Sequence, residues 1–146
     1  GTYVRKLCHD LGLALGTGAH MGHLRRIGTG PFDDANLVTL EDLADALVFW
    51  VEDGDEGPIR DVVAPAERAL VDRPRVTIAP SAAREVAEGA PVYAPGVVES
   101  EVEPTDGTAP LVACYTPSGA AVCLGRLVGS PAAESGVAVE LERVLV

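Results

Sequence analysis

The sequence predicts an α+β chain in two parts: a mixed helix and strand portion over residues 1–73 and a small β-barrel over residues 74–146. Three observations predict it. Apolar residues recur at helical spacing in two stretches of the first half. A polar, Gly-rich break, "EDGDEGP", follows them. Beyond Gly89 only short apolar stretches separated by turn residues remain.

The elements follow in order. Thr2 is placed to cap a first helix through its hydroxyl, and Val4, Leu7, Cys8, Leu11 and Leu15 continue at helical spacing. Arg5 and His9 share another face, four residues apart. Gly16 is placed to end the helix. "AHMGHLRRIGTG" reads as a strand, with Met21, His23 and Arg25 on one face and Gly22, Leu24 and Arg26 on the other. "TGPFDDAN" is a turn. "TLEDLADALVFWV" is a helix opened by a Thr39/Asp42 capping box, with Leu40, Leu43, Ala44, Leu47 and Val48 as its apolar stripe. "DVVAPAERALVD" supports at most a short helix, interrupted by Pro65.

"RPRVTIAP" starts the barrel with a strand. "SAAREVAEG" is a short helix, capped by Ser81 and ended by Gly89. Strands are then expected in "PVYAPGVVESEV", "PLVACYT", "AAVCLGRLVG" and "VAVELERVLV". Turns are expected at Asp106-Gly107, Ser118-Gly119 and Ser135-Gly136.

Composition narrows the function classes. Apolar content of 47% supports a core, and no apolar run is long enough for a membrane-spanning helix. There is no apolar N-terminal leader, so a soluble, cytoplasmic protein with no membrane partner is expected. Three cysteines make no disulfide framework. Cys114 and Cys123 flank "TPSG" and would lie opposite each other across a hairpin as small core residues. His20 and His23 fall on opposite strand faces, so no metal site is expected.

The net charge of -11 is unevenly spread. Residues 1–31 hold Arg5, Lys6, Arg25 and Arg26 against Asp10 alone, and all three histidines. The remainder holds seven arginines against 21 acids. One lysine among so many acids suggests a salt-loving source, where a hydrated acidic surface preserves solubility. The basic first segment suggests an anionic partner. Tyr3 could stack on a base, and Arg5 is a permanently charged fork for a carboxylate or phosphate. Surface or core-edge roles for these residues explain the spacing about equally well.

The blocks "GTYVRKLCHDLG" and "GTGAHMGHLRRIGTGPF", taken together, resemble the TruB/dyskerin family of pseudouridine synthases, nearest its archaeal box H/ACA branch. "RVTIAPSAAREVAEGAPVYAPGV" and the strands after it resemble the PUA domain that follows in that branch. The resemblance implies that Gly1 lies inside a family motif and that the chain is the C-terminal part of a longer enzyme. The catalytic aspartate would lie upstream, leaving this portion alone inactive. The implied reaction is the isomerisation of uridine to pseudouridine, without cofactor, on a uridine flipped from its stack. Tyr3 matches the tyrosine that stacks on the flipped base, Arg5 the arginine that pairs with the catalytic aspartate, and Leu24 an apolar wall of the pocket. Lys6, His20, Arg25 and Arg26 are the RNA-binding candidates of the first segment. Gly89, Ala90, Val92, Pro95 and Gly96 are those of the PUA part. The implied partners are box H/ACA guide RNA, rRNA, tRNA and small accessory proteins. Two alternatives stay open: a non-catalytic PUA-type binding module, and a stand-alone tRNA pseudouridine synthase.

Overall fold

The computed structural model describes residues 2–104 and 108–146. Gly1 and the turn expected at Asp106-Gly107 lie outside the described residues. The chain forms two compact units: Gly1–Thr29 with Asp33–Leu37, and Gly30–Phe32 with Val38–Val146.

In the first unit, helix α1 spans Val4–Ala14. Its N-cap is Tyr3, not Thr2, and no side chain caps it. The helix starts so that Leu7 N–H donates to the Tyr3 carbonyl, which leaves Thr2 outside the first turn. Its end follows the expected chemistry. Gly16 adopts φ +69°, Gly16 N–H donates to Leu13, and Thr17 N–H donates to Gly12, a Schellman closure. Residues 18–27 form no strand, contrary to the alternation. A strand exists only through a ladder with a neighbour, and no described strand pairs with this segment. Only the short strands β1, Gly28–Thr29, and β2, Phe32–Asp33, pair here, as a two-stranded sheet.

In the second unit, helix α2 spans Leu40–Val48 behind the expected capping box. Thr39 Oγ1 accepts from Asp42 N–H at 3.0 Å, and the Asp42 carboxylate accepts from Thr39 N–H at 2.8 Å. These bonds hold the Asp42 carboxyl below its ordinary value. The expected stripe is not a buried one: Ala46 is the buried residue, Leu43 is half-buried, and Leu40, Ala44, Leu47 and Val48 are exposed. Periodicity shows which residues share a face, not whether that face is covered. A π-helical turn, Phe49–Asp53, continues α2 and closes on Gly54 at φ +70°. Helix α3, Gly57–Val62, starts within the segment expected to be a break, with Pro58 in its first turn. Pro65 then precedes a 3₁₀ turn over Ala66–Leu70.

The barrel follows. Strand β3 is Arg75–Ile78, helix α4 is Pro80–Ala87, and β4 is Val92–Tyr93. A 3₁₀ turn over Ala94–Gly96 leads to β5, Val97–Ser100. Strands β6, β7 and β8 are Leu111–Tyr115, Ala121–Leu127 and Val137–Val144. Ser81 does not cap α4. Pro80 occupies the first helical turn, where its missing N–H costs nothing, and this moves the N-cap back to Ala79.

The six strands lie in the order β4-β8-β7-β6-β3-β5. Every pairing is antiparallel except β3 with β6, in which Val76 faces Cys114. The outermost strands, β4 and β5, are joined by the Ala94–Gly96 turn, so the chain itself bridges the sheet edges and the sheet curls into a nearly closed barrel. Val76, Ile78, Val86, Val92, Val112 and Leu127 fill its interior, each almost fully buried. Gly119 and Gly136 adopt φ +94° and +100° at the two expected turns, a region that disfavours other residues.

Cys114 and Cys123 pair directly across β6 and β7 and are free thiols in the core. The bond between the two thiols and their burial push Cys114 well above an ordinary thiol. A smaller cluster, Ala113, Tyr115 and Ala121 with Leu70 and Leu124, packs the 3₁₀ turn at Leu70 onto the barrel. There the Glu67 carboxylate accepts from Ala121 N–H at 2.9 Å, which holds it below the ordinary value.

Candidate RNA-binding and catalytic site

Glycine builds the site in the first unit. Gly12 is buried on α1, and a Cβ there would lie 2.2 Å from the Ala19 backbone nitrogen. The absent side chain lets the chain after α1 turn back against the helix, with Gly18 at φ +68°. The returning segment brings His20, Met21, Leu24 and Arg26 beside Tyr3, Arg5, Lys6 and His9. Together they line an open cleft of about 1110 Å³.

The cleft unites the predicted Tyr3, Arg5, Leu24, Lys6, His20 and Arg26. Tyr3 and Leu24 are 84% and 57% exposed, so both present apolar surface to anything that enters. No carboxylate lines the cleft among the described residues. Lys6 is ion-paired with Asp10, one helical turn on, whereas Arg5 and Arg26 make no ion pair among the described residues. The cleft can therefore offer a flat ring the exposed apolar surfaces of Tyr3 and Leu24, and an anionic group the guanidinium of Arg5 or Arg26.

Arg25 does not join them. Its guanidinium donates to Asp34 at 3.0 Å, outside the cleft lining. His9 does join, four residues from Arg5 on the same helix face. Helical spacing puts the two on one face but does not show what that face lines.

The second group of candidates lies on the barrel unit. Gly89 sits at φ +95° after α4 and closes the helix: Gly89 N–H donates to Val86 and Ala90 N–H to Glu85. Pro95 is exposed and Ala90 half-buried. Val92 is fully buried in the core, so its side chain serves packing and only its backbone is left for a ligand. Gly96 has a packing reason as well: a Cβ there would lie 2.8 Å from the Ala82 Cβ. Among the described residues no group of three metal-ligating side chains converges, and no helix is long and apolar enough to cross a membrane.

The family described as tRNA pseudouridylate synthase B C-terminal domain matches residues 5–71. A relative described as probable tRNA pseudouridine synthase B, from Haloarcula marismortui, is 64% identical over the whole chain, which covers 48% of that relative. One of the same description from Methanopyrus kandleri is 47% identical over 99% of the chain, covering 44% of the relative. The chain thus spans about half the length of the curated relatives it matches. A crystal structure of the archaeal box H/ACA sRNP Nop10-Cbf5 complex matches over the whole chain with a TM-score of 0.83 and 42% identity, 48% of that chain being covered. A structure of an H/ACA RNP bound to a substrate RNA containing 2′-deoxyuridine matches the whole chain with a TM-score of 0.81 and 39% identity, covering 47% of that chain. On these matches the chain is similar, along its whole length, to part of the TruB/dyskerin family of pseudouridine synthases.

Proposed function

We propose that the full-length protein carrying this chain converts uridine to pseudouridine in RNA, with residues 1–73 as part of its synthase domain plus linker and residues 74–146 as a PUA RNA-binding domain. The observation that carries this reading is the cleft lined by Tyr3, Arg5 and Leu24 and, among the described residues, by no carboxylate. A flipped uracil stacks on Tyr3 and rests on Leu24. Arg5, which makes no ion pair among the described residues, holds the carboxylate that attacks the nucleotide, an aspartate from outside the cleft lining. A guanidinium at hydrogen-bond distance keeps such a carboxylate ionised and oriented at neutral pH. Lys6, His20 and Arg26 hold the phosphates around the flipped nucleotide. Arg25, held by Asp34, takes a lesser part.

The guided branch is the favoured form: box H/ACA guide RNA selects an rRNA uridine, small accessory proteins complete the particle, and the barrel grips the guide end through the backbone around Gly89, Ala90, Pro95 and Gly96. The H/ACA particles among the structural matches support it. The stand-alone tRNA enzyme is the second reading, supported by the printed descriptions of the relatives. The similarity to Haloarcula and Halobacterium proteins supports a salt-adapted source.

The test uses the full-length protein in high KCl, with pseudouridine read by mass spectrometry on a tRNA transcript and on a target RNA with and without its guide. Conversion that Arg5→Ala abolishes supports the reading. Conversion of the guided target alone selects the H/ACA form, and conversion of tRNA without guide selects the second. Wild-type conversion absent on both substrates, or undiminished in Arg5→Ala, overturns the proposal.

A further inference from the structure

Cys114 and Cys123 take no part in the cleft, which lies in the other compact unit. They are Cα partners across the antiparallel strands β6 and β7, and both are fully buried in one core cluster. Directly opposed residues of such a pair put their side chains on one face, with Cα atoms about 4.5–5.5 Å apart, within the span that a disulfide bridges. The turn between them pins the register: Thr116 N–H donates to the Ala120 carbonyl and Gly119 N–H to the Thr116 carbonyl, both at 2.9 Å. The two thiols also meet. Cys114 donates to Cys123, which pushes the Cys114 thiol up and draws Cys123 below an ordinary thiol. Cys123 is therefore the more nucleophilic sulfur of the two. Cys8, on α1, is half-buried and is the single cysteine of its unit, so it serves as an internal control.

We propose that Cys114 and Cys123 are a redox pair: hydrogen peroxide converts the facing thiols into a disulfide that staples β6 to β7 inside the barrel. The Cys123 thiolate attacks one peroxide oxygen, the O–O bond breaks, and hydroxide leaves and takes up the thiol proton as water. The product at Cys123 is a sulfenic acid. The Cys114 sulfur attacks that sulfur, the S–O bond breaks, and the oxygen leaves as a second water carrying the Cys114 proton. In sum, two thiols and one peroxide give one disulfide and two waters; the sulfurs are oxidised and the peroxide is reduced. Peroxide is neutral and close to water in size, so brief local opening of the hairpin admits it. The second sulfur already faces the first, so the sulfenic acid is captured before it oxidises further. Cys8 has no such partner in its unit and continues up the oxidation ladder.

The experiment treats the reduced, folded full-length protein with hydrogen peroxide at a dose that oxidises Cys8, then denatures it in an alkylating agent and maps the peptides by mass spectrometry. Both core cysteines fall in one tryptic peptide, residues 85–126. That peptide should lose the mass of two hydrogens and escape alkylation, and a dithiol reductant should restore both alkylations. Cys114→Ala and Cys123→Ala should each abolish that loss. Thermal unfolding of the oxidised wild type should lie about 5 °C above that of the reduced protein, because the staple restricts the unfolded chain. Full alkylation of both core cysteines at that dose overturns the inference, as does sulfinic acid at either of them or the same loss of two hydrogens in a single variant. An unchanged midpoint in the cross-linked protein overturns the staple. The mapping and the midpoint are read on wild type, so the test stands even where an alanine variant fails to fold.

Discussion

Replacing Gly12 with alanine isolates the contact that shapes the cleft. In an isolated helix the change stabilises, by about 1 kcal/mol, because glycine loses more backbone freedom than alanine. In this chain the new methyl would lie 2.2 Å from Ala19 N, 2.6 Å from Gly18 C and 2.8 Å from Ala19 Cβ. Two of those three neighbours are backbone, so no flexible side chain can simply move aside. The returning segment must retreat by about 1 Å, a displacement that costs reacting geometries about 100-fold. His20, Leu24 and Arg26 ride on that segment, whereas Tyr3, Arg5 and His9 stay on or beside α1. Gly12→Ala should therefore lower the uridine conversion rate of the full-length protein by about two orders of magnitude. Gly22→Ala should leave the rate unchanged, because a Cβ at Gly22 meets nothing within 4 Å and its φ is not positive. The assay is single-turnover conversion at saturating RNA, with thermal unfolding in parallel. A Gly12→Ala protein with wild-type turnover and a raised midpoint would refute the reasoning, since it would show that helix propensity outweighs the close approach.

Other outcomes follow from the same structure. Thr39→Ala removes one half of the α2 capping box and should cost about 1 kcal/mol in denaturant unfolding. Asp42 has a lowered pKa in the fold, so its stabilisation is present above the unfolded carboxylate value and is lost as pH falls through the folded value. Acid unfolding of Asp42→Asn should accordingly lose that part of its pH dependence. Of the three thiols, Cys114 and Cys123 are buried and Cys8 is half-buried, so a charged aromatic disulfide reagent should modify Cys8 in the native chain and all three only in denaturant. If the source is salt-adapted, RNA affinity should fall weakly between moderate and molar KCl, since counterion release gains little where bulk salt is already high. A steep loss over that range, measured by fluorescence anisotropy, would count against recognition through short-range contacts.

The barrel was legible because its signals are local. Val76 and Ile78 alternate with half-buried neighbours, and Gly89, Gly119 and Gly136 mark ends and turns through their own backbone preference. The Thr39/Asp42 box was equally readable, being contained within four residues. The errors arose where the outcome depends on something distant or on a competing neighbour. Residues 18–27 alternate like a strand, but alternation does not supply a partner. Ser81 looked like a cap until Pro80 claimed the first helical turn. For the cleft, Tyr3, Arg5 and Leu24 were named through family resemblance, and their meeting depends on Gly12, whose role the spacing did not reveal. His9 was placed beside Arg5 by helical spacing, yet only the fold shows that both face the cleft.

The single parallel pairing in the barrel, β3 beside β6, has a consequence for how the chain folds. Strands β6, β7 and β8 follow one another as antiparallel neighbours and can assemble as a local meander. The segment carrying β3, α4, β4 and β5 attaches to that meander through two seams, β3 to β6 and β4 to β8, both distant in sequence. Neither seam closes a simple hairpin, so loop entropy is lost before either rewards the chain. The meander should be the first structured part, with closure of the barrel as the slower, concerted event. Because Ala94–Gly96 runs from β4, which makes one of the two seams, to β5, the glycine-bounded surface between Gly89 and Gly96 should become ordered together with closure of the barrel.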